Sequence, residues 1–270
     1  MRFTGIKSLG KGAGKKKLRN LEKRLTKLSS FAVAFSGGVD STFLLAVAKR
    51  VNPKRLLAII VSSQFVPERE IADAKRLAAD LAVPHICLEV DILENEAVVR
   101  NTRQRCYHCK RQMFSLIKQT AEKRGLKSLL HGVNLDDLAE FRPGLRAAEE
   151  LGFLSPLADE GFTKADIRQV SRQLGLETWD KPSQSCLATR IPHDVRINRD
   201  DLVRVDTAEV FLQDLGFDKV RVRYHGTSAR IEVDPGRIDR ILTPAIRQEI
   251  SEKFQTLGFA HTSIDLDGYR

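Results

Sequence analysis

The chain has 270 residues, and its excess of basic over acidic side chains gives a formal net charge of +10. Apolar residues make up 42% and charged residues 30%, as is typical of a folded globular protein and not of a disordered or fibrous chain. No apolar run approaches the roughly 20 residues of a membrane span, and no secretory-type apolar segment follows Met1, so we expect a cytoplasmic protein without membrane segments.

The positive charge is concentrated near the amino terminus. Residues 1–27 hold ten basic residues and one acidic residue, so the other 243 residues are close to neutral. Residues 1–17, rich in lysine and glycine, predict a flexible basic arm, and leucines at 18, 21, 25 and 28 predict a short amphipathic helix. A solvated tail is the simplest interpretation of the arm, and contact with RNA, an acidic ligand or a membrane surface is the alternative.

Short apolar runs alternate with amphipathic segments between residue 31 and about residue 180. The runs predict buried parallel strands and the segments predict helices. Strands are expected at 31–35, 55–63, 85–90 and 128–134, with a further short apolar stretch at 153–157, and helices at 42–51, 68–82, 111–125 and 163–174. This alternation implies right-handed crossovers, and hence an α/β fold with a doubly wound parallel sheet.

The carboxyl-terminal part predicts a smaller α+β domain. A helix is expected at 199–215, a hairpin from 219–226 and 229–234, a helix at 235–254 and a strand within 259–270. The predicted parts of the chain are therefore an arm (1–17), a nucleotide-binding domain (18–190) and a domain for substrate binding or oligomerisation (191–270).

A glycine-rich loop, Ser36-Gly37-Gly38-Val39-Asp40-Ser41, joins the first predicted strand to the next helix. Adjacent glycines let backbone N–H groups approach an anion, and the helix amino terminus adds its positive dipole end. Ser36 and Ser41 supply hydroxyl donors, and Asp40 can hold Mg²⁺ or cap the helix. A plain strand-to-helix turn is the alternative interpretation. The string is neither a Walker A motif nor a dinucleotide fingerprint.

This loop resembles the PP-loop of the ATP pyrophosphatases. The resemblance implies that a carboxylate or carbonyl oxygen attacks the α-phosphate of ATP while pyrophosphate leaves into the loop. It also implies that the end of the second strand, near Val61 and Ser62, borders the adenine.

A polar segment follows the fourth predicted strand, where ligands bind in parallel α/β sheets. Its candidate binding residues are Gly132, Asn134, Asp136, Asp137 and Arg142. One of the aspartates is expected to hold Mg²⁺ and the other to cap a helix.

Three cysteines predict metal or sulfur chemistry. Cys106 and Cys109 form a CxxC at the start of a helix, and Cys186 lies in KPSQSCLATRIP, whose prolines disfavour regular structure. Three thiolates are one ligand short of a closed four-cysteine centre. The cysteines are therefore compatible with a zinc site completed by His108 or His193, and also with a [4Fe-4S] cluster that has one open iron. Alternatively, Cys186 is a lone nucleophile or sulfur donor activated by Lys181 and Arg190. Cys87 is expected to be an inert core residue.

Five strings in the expected order make the resemblance more specific. VAFSGGVDSTFLL, RCYHCK, HGVNLDDLAEFRPG, KPSQSCLATRIP and VRVRYHG…ARIEV resemble the LarE family of ATP-dependent sacrificial sulfur transferases over about residues 18–267. The family resemblance implies adenylylation of a pyridinium biscarboxylate mononucleotide and replacement of AMP by sulfur, in biosynthesis of the nickel-pincer nucleotide cofactor.

The same resemblance implies two sulfur sources. Cys186 matches the cysteine that gives up its sulfur and becomes dehydroalanine in single-cysteine members. The additional CxxC resembles members in which three cysteines hold a [4Fe-4S] cluster that binds and delivers sulfide repeatedly. We favour this interpretation because three cysteines can share a metal cluster, whereas a sacrificial donor needs only one. A homo-oligomer, hexameric by resemblance, is also expected.

Further roles follow from charge and from this match. Arg221 and Arg223 alternate on one strand face, as a clamp for the mononucleotide phosphate requires, and a solvated basic strand face is the alternative. Glu209 is a candidate polar partner of the transferred group. A tRNA thiolation enzyme of the PP-loop superfamily is the nearest rival, but the near-neutral body argues against nucleic acid binding.

Overall fold

A computed structural model describes residues 13–51, 55–139 and 143–269. The chain divides into two compact units, which are Met1–Val90 with Cys106–Gln184 and Asp91–Arg105 with Ser185–Arg270. Across the described ranges, none of the helices combines the length and apolar character that a membrane crossing requires.

The elements follow one another in a mixed α/β order. The strands are β1 (Phe31–Ala34), β2 (Leu56–Ser62), β3 (His85–Glu89), β4 (Ser128–His131), β5 (Phe153–Leu154), β6 (Val220–His225), β7 (Ser228–Val233) and β8 (His261–Ile264). The α-helices are α1 (Ala13–Thr26), α2 (Val39–Val51), α3 (Glu68–Asp80), α4 (Glu96–Val99), α5 (Arg105–Lys123), α6 (Leu135–Leu138), α7 (Pro143–Glu150), α8 (Pro156–Asp159), α9 (Lys164–Gln173), α10 (Arg199–Asp214), α11 (Ile238–Ile241) and α12 (Pro244–Thr256).

The first unit is built on a five-stranded parallel sheet in the order β3-β2-β1-β4-β5, which confirms the predicted fold class. β1 is the central strand. β2 and β3 follow on one side of β1, and β4 and β5 then follow on its other side. Alternating residues of the strands face opposite sides and enter two separate apolar clusters, as in a sheet covered by helices on both faces. The order in which strands are added to the sheet reverses between β1 and β4, and parallel sheets bind ligands at such a point.

The amino-terminal helix begins earlier than the boundary of the predicted arm. α1 starts at Ala13 and buries Leu18, Leu21 and Leu25 in the core, as the leucine spacing predicts. Lys17 Nζ lies 2.6 Å from both Gly161 O and Asp166 Oδ2, which fixes the last part of the predicted 1–17 arm. Residues 1–12 lie outside the described residues.

The second unit contains a three-stranded sheet in the order β6-β7-β8. β6 and β7 form the predicted antiparallel hairpin, and β8 joins β7 in parallel. The single helix predicted at 235–254 is wrong, because the chain forms α11, breaks at Leu242 and Thr243, and restarts as α12 with Pro244 at its first position. Proline lacks the N–H that a continuous helix needs but is well suited to a first turn.

The division between the units differs from the predicted domains. The second unit begins at Ser185 rather than at 191, and it also includes Asp91–Arg105 from the middle of the predicted nucleotide-binding domain. Backbone hydrogen bonds explain the second difference, since Val99 O accepts from Ile197 N at 2.8 Å and Asn101 O from Asp194 N at 3.1 Å. These pairings join segments nearly a hundred residues apart, which local sequence patterns do not reveal.

Candidate functional site

The glycine-rich loop forms a compact turn between β1 and α2. Gly37 has a φ of +71°, in the left-handed region that favours glycine, and an added Cβ would lie 3.1 Å from Ala74 Cα. Ser41 Oγ donates to Gly38 O at 3.2 Å and lies 3.1 Å from Ser36 Oγ. Ser36 is exposed at the end of β1, so the serines, the loop amides and the start of α2 are positioned as an anion-binding loop.

Gly132 brings the end of β4 against this loop. A Cβ built on Gly132 would lie 2.8 Å from Ser41 N, closer than side-chain carbon contacts allow. The predicted binding residue Gly132 therefore permits the close approach of β4 and α2. β4 ends at His131 and not at residue 134, because Asn134 instead caps the following helix α6.

Asp40 has one paired and one unpaired carboxylate oxygen. Oδ2 lies 2.6 Å from Lys164 Nζ, while the buried Oδ1 has no hydrogen-bond partner among the described residues. An unpartnered carboxylate oxygen beside a phosphate-type loop fits a Mg²⁺ ligand, because Mg²⁺ binds carboxylate and phosphate oxygens together. The ammonium group of Lys164 places a positive charge at the other oxygen of the same carboxylate.

Of the polar residues after β4, two form a helix cap. Asn134 is 2% exposed, and its Oδ1 accepts from the backbone N–H groups of Asp136 and Asp137. Asp137 Oδ2 accepts from Asn134 N at 3.1 Å, which completes a capping box on α6. Asp136 Oδ2 instead accepts from Lys164 N at 2.7 Å.

Two other predicted binding residues lie on either side of this region in sequence. Ser62 is the last residue of β2, at the carboxyl edge of the sheet, and its carbonyl accepts from Val90 N at 3.0 Å. Arg142 lies outside the described residues. The place of Ser62 beside the adenine stays a prediction.

The CxxC occupies the first turns of α5, which begins at Arg105 instead of the predicted 111. Cys106 is exposed and Cys109 is buried, with Cys109 Sγ 4.0 Å from Met113 Sδ. Tyr107 OH donates to Glu150 Oε2 at 2.7 Å, which anchors this helix start to α7. The prediction of a CxxC at a helix start is confirmed.

The Cys186 loop comprises Ser185–Pro192 in the second unit. Cys186 is half-buried and precedes a short 3-10 helix at Leu187–Arg190. Arg190 Nη1 donates to Ser185 O at 2.8 Å and to Cys186 O at 3.3 Å, so its side chain folds back over the cysteine backbone. The loop is thus held in one shape although it has little regular structure.

Arg190 is itself held by Glu209 on α10. The two form a bidentate pair with nitrogen–oxygen distances of 2.8 and 3.0 Å, and their side chains are 5% and 1% exposed. Burial alone would lower the pKa of Arg190, but the hydrogen bonds and charge of Glu209, together with smaller effects of Cys186 and Tyr269, outweigh burial and raise the pKa. Glu209 Oε1 also accepts from Val222 N at 2.9 Å. Glu209 therefore joins α10, β6 and the Cys186 loop, and its contact to the transferred group stays a prediction.

A pocket of about 220 Å³ opens beside the Cys186 loop within the second unit. Its lining is mostly basic and polar: Thr189, Arg190, Pro192, Arg223, His225, Arg230 and Glu232. Arg223 pairs with Glu232 at 2.8 and 2.9 Å and donates to Thr189 O at 2.8 Å. The excess of cationic groups suits an anionic ligand.

The two predicted arginines of β6 have different partners. Arg223 lines the pocket, whereas the guanidinium of Arg221 stacks over the Tyr269 ring with its carbon 4.1 Å from the ring centroid. Stacking of this kind orients a guanidinium without neutralising it. Only Arg223 of the pair lies among the pocket-lining residues.

The three cysteines that a shared metal cluster would need are divided between the two units. Cys106 and Cys109 belong to the first unit and Cys186 to the second, so neither unit by itself supplies the three thiolates of a [4Fe-4S] site. Among the described residues, no group of three or more His, Cys, Asp or Glu side chains is arranged to hold a metal ion. The thiols of one unit alone do not fit the cluster.

His131, at the end of β4, makes the stability pH-dependent. Burial and then the charge of Lys110 lower its pKa from 6.5 to about 4. The unfolded chain therefore binds a proton that the folded chain excludes between these values, so this residue should make stability fall by about 2 kcal/mol from pH 7 to pH 5.

Urea unfolding at both pH values tests this, with His131→Gln as the comparison. Glutamine can keep the polar contact to Ser155 Oγ, which lies 2.7 Å from His131 Nε2, but it does not titrate. The variant should lose about 2 kcal/mol less than the natural protein on acidification. Equal losses in both proteins would contradict the assignment.

Two contacts of the site have no local signal in the sequence. Lys164 lies at the start of α9, within the helix predicted at 163–174, but its ion pair with Asp40 joins residues far apart in the chain. Arg190 is expected from sequence only as a charge near Cys186. Its pairing with Glu209 depends on two elements that meet in the folded unit.

The chain is similar to known proteins over nearly all of its length. A family model described as a PP-loop domain matches residues 13–142. An uncharacterized protein of Synechocystis sp. is 38% identical over 94% of this chain and 95% of that protein. The pyridinium-3,5-bisthiocarboxylic acid mononucleotide synthase of Lactiplantibacillus plantarum is 32% identical over 94% of this chain and 92% of the synthase.

A second similarity is shorter. The tRNA-specific 2-thiouridylase MnmA of Rickettsia rickettsii is 30% identical over 197 residues, which cover 58% of this chain and 53% of that enzyme. Similarity to the thiouridylase therefore leaves much of both chains unmatched.

Proposed function

Because the chain belongs to the family of the pyridinium-3,5-bisthiocarboxylic acid mononucleotide synthase and is an ATP-dependent sulfurtransferase, we propose that it converts carboxylates of a pyridinium biscarboxylate mononucleotide into thiocarboxylates. The product would serve biosynthesis of the nickel-pincer nucleotide cofactor. The observation that carries this proposal is the 32% identity to the synthase over 94% of the chain.

The first step is activation of the carboxylate by ATP. A carboxylate oxygen attacks the α-phosphorus, the bond to the β-phosphate oxygen breaks, and an acyl-adenylate and pyrophosphate form. The amides and hydroxyls of Ser36–Ser41 would bind the leaving pyrophosphate, since fixed N–H and O–H donors stabilise charge that develops there. Lys164 would add a positive charge. Asp40 would hold Mg²⁺, which neutralises phosphate charge when bound.

The second step replaces AMP with sulfur through Cys186. Its Sγ attacks the acyl carbon, the carbon–oxygen bond to AMP breaks, and a thioester joins Cys186 to the substrate. Loss of the Cys186 Cα proton then breaks the Cβ–S bond, so sulfur leaves on the substrate and dehydroalanine remains in the chain. A [4Fe-4S] cluster on Cys106, Cys109 and Cys186 is the alternative source, and it would supply inorganic sulfide without consuming the cysteine.

The basic pocket in the second unit would bind the substrate phosphate. Arg223, Arg230 and His225 offer donors at its wall, and the arginines retain charge at any working pH. Arg221 would strengthen the positive potential from its place on the same strand. The pocket includes Thr189 and Arg190 of the Cys186 loop, which supports a common site for binding and sulfur transfer.

The proposal is tested by incubating the protein with ATP, Mg²⁺ and the mononucleotide and following pyrophosphate, thiocarboxylate and the mass of the Cys186 peptide. Pyrophosphate and thiocarboxylate should both appear, and each should require the mononucleotide. Loss of the mass of one H₂S from the peptide identifies Cys186 as the source, whereas an unchanged mass identifies repeated delivery. ATP hydrolysis without thiocarboxylate would overturn the proposed function.

A tRNA thiolase is the second candidate, favoured only by the partial similarity to MnmA and by exposed cations along α1 such as Lys16, Arg19 and Lys23. Sulfur incorporation into tRNA in place of the mononucleotide would support it. We also propose a homo-oligomer, hexameric by family resemblance, which sedimentation analysis can check.

A further inference from the structure

The Cys186 loop is shaped by side chains that donate hydrogen bonds to its carbonyl groups. Buried carbonyls need donors, and the short 3-10 helix supplies few: Thr189 N donates to Cys186 O at 3.0 Å and Ile191 N to Ala188 O at 3.4 Å. Arg190 adds side-chain donors in the first half of the loop, at Ser185 O and Cys186 O. The second half draws on a different part of the chain.

Arg105 and Asn101 supply the donors for that second half. Arg105 is 4% exposed, and its Nη1 donates to Ala188 O at 3.0 Å and to Asn101 Oδ1. Asn101 is fully buried, and its Nδ2 donates to Pro192 O at 2.7 Å and Ile191 O at 3.3 Å. The two side chains therefore form a connected brace that reaches three carbonyls of the loop.

The backbone of Asn101 is also specialised for this role. Its φ is +56°, a left-handed conformation that asparagine tolerates better than most residues. In this conformation its carbonyl accepts from Asp194 N at 3.1 Å and lies 3.1 Å from His193 Nδ1. Asn101 thus contacts the chain on both sides of Pro192, through its side chain and its backbone.

We infer that Arg105 and Asn101 are positioning residues that hold the Cys186 loop in the shape needed for sulfur transfer. Glu209 on α10 fixes the loop through Arg190, and the brace fixes it from the 91–105 segment. A nucleophile needs alignment within a fraction of an ångström, and a displacement of about 1 Å can reduce a rate about 100-fold. This inference rests on the proposed role of Cys186.

The variant Arg105→Met tests the brace, because methionine fills much of the same buried space without donors. Thiocarboxylate formation should fall about 100-fold, while the KM for ATP and the rate of pyrophosphate release stay at the wild-type values. Alkylation of Cys186 by iodoacetamide, followed by peptide mass and requiring no substrate, should become faster because the loop is less restrained.

Three further variants complete the design. Asn101→Gly keeps the left-handed backbone but removes the amide, and it should reproduce the effects of Arg105→Met even if that variant folds poorly. Arg105→Lys restores a donor and should recover part of the transfer rate. Arg196→Met removes an exposed pair with Glu96 in the same unit and should change neither measurement.

The inference is overturned if folded Arg105→Met and Asn101→Gly transfer sulfur and alkylate at the natural rates. It is also overturned if pyrophosphate release falls in parallel with transfer, since that indicates general damage. If the natural protein forms no thiocarboxylate, the proposed function fails, yet the alkylation rates still decide whether the brace restrains Cys186.

Discussion

Replacing Cys186 with alanine should abolish thiocarboxylate formation and leave the first round of ATP-dependent pyrophosphate release intact. Both proposed sulfur sources require this thiol, whereas the Ser36–Ser41 loop, which would bind the pyrophosphate, belongs to the first unit. The loop itself should persist, because its shape depends on the Cys186 carbonyl and not on its sulfur. Rapid-quench measurement of pyrophosphate and of thiocarboxylate in the same sample separates the two steps.

Cys87→Ala is the matched control for this experiment. Cys87 lies in β3 and packs against the apolar core of the first unit, so its loss should slightly reduce stability and leave sulfur transfer unchanged. Continued thiocarboxylate formation by Cys186→Ala would show that the sulfur does not pass through this residue.

Replacing Arg190 with methionine should cost roughly 3 to 5 kcal/mol of unfolding free energy, because a buried carboxylate at Glu209 loses its bidentate partner. The same change removes the donors to Ser185 O and Cys186 O, so sulfur transfer should fall with stability. Arg190→Lys should recover only part of the loss, since a lysine cannot reproduce the planar two-point contact. Urea unfolding of both variants measures these effects.

Arg199→Met provides the comparison for Arg190→Met. The pair of Arg199 with Asp91 is exposed and belongs to the same unit, so its loss should cost less than about 1 kcal/mol. Similar losses in the two variants would contradict a structural role for the buried Arg190–Glu209 pair.

Local patterns predicted the first unit well. The apolar runs that became β1 and β2, and the leucine spacing of α1, specify burial on their own, so their positions follow from periodicity. The Ser36–Ser41 loop was equally predictable, since adjacent glycines between a strand and a helix have a clear physical use. In contrast, the role of Gly132 depends on the approach of β4 to α2.

Features that depend on distant pairings were not predictable. The association of 91–105 with the second unit rests on contacts such as Asn101 to Pro192, and the role of Glu209 rests on Arg190, nineteen residues earlier. Asn134 and Asp137 illustrate a different difficulty, because the same polar residues suit both a ligand and a helix cap. Only the fold shows that their oxygens form the capping box of α6.

The positive charge also has a more limited meaning in the folded protein. Some of the cations near the amino terminus form ion pairs along α1, as Lys17 does with Asp166 and Arg24 with Asp159. Three arginines line the pocket beside the Cys186 loop, and each pairs with Glu209 or Glu232: Arg190, Arg223 and Arg230. Net charge therefore describes the surface of α1 more than the proposed site.

Transfer of ¹⁸O from the substrate carboxylate to AMP is the decisive test of activation by adenylylation. If the carboxylate attacks the α-phosphorus and sulfur then displaces AMP, one carboxylate oxygen must remain on the phosphate of AMP. With a mononucleotide labelled by ¹⁸O in its carboxylates, we expect AMP that carries one ¹⁸O for each thiocarboxylate formed. Unlabelled AMP, or label in inorganic phosphate, would contradict activation by adenylylation.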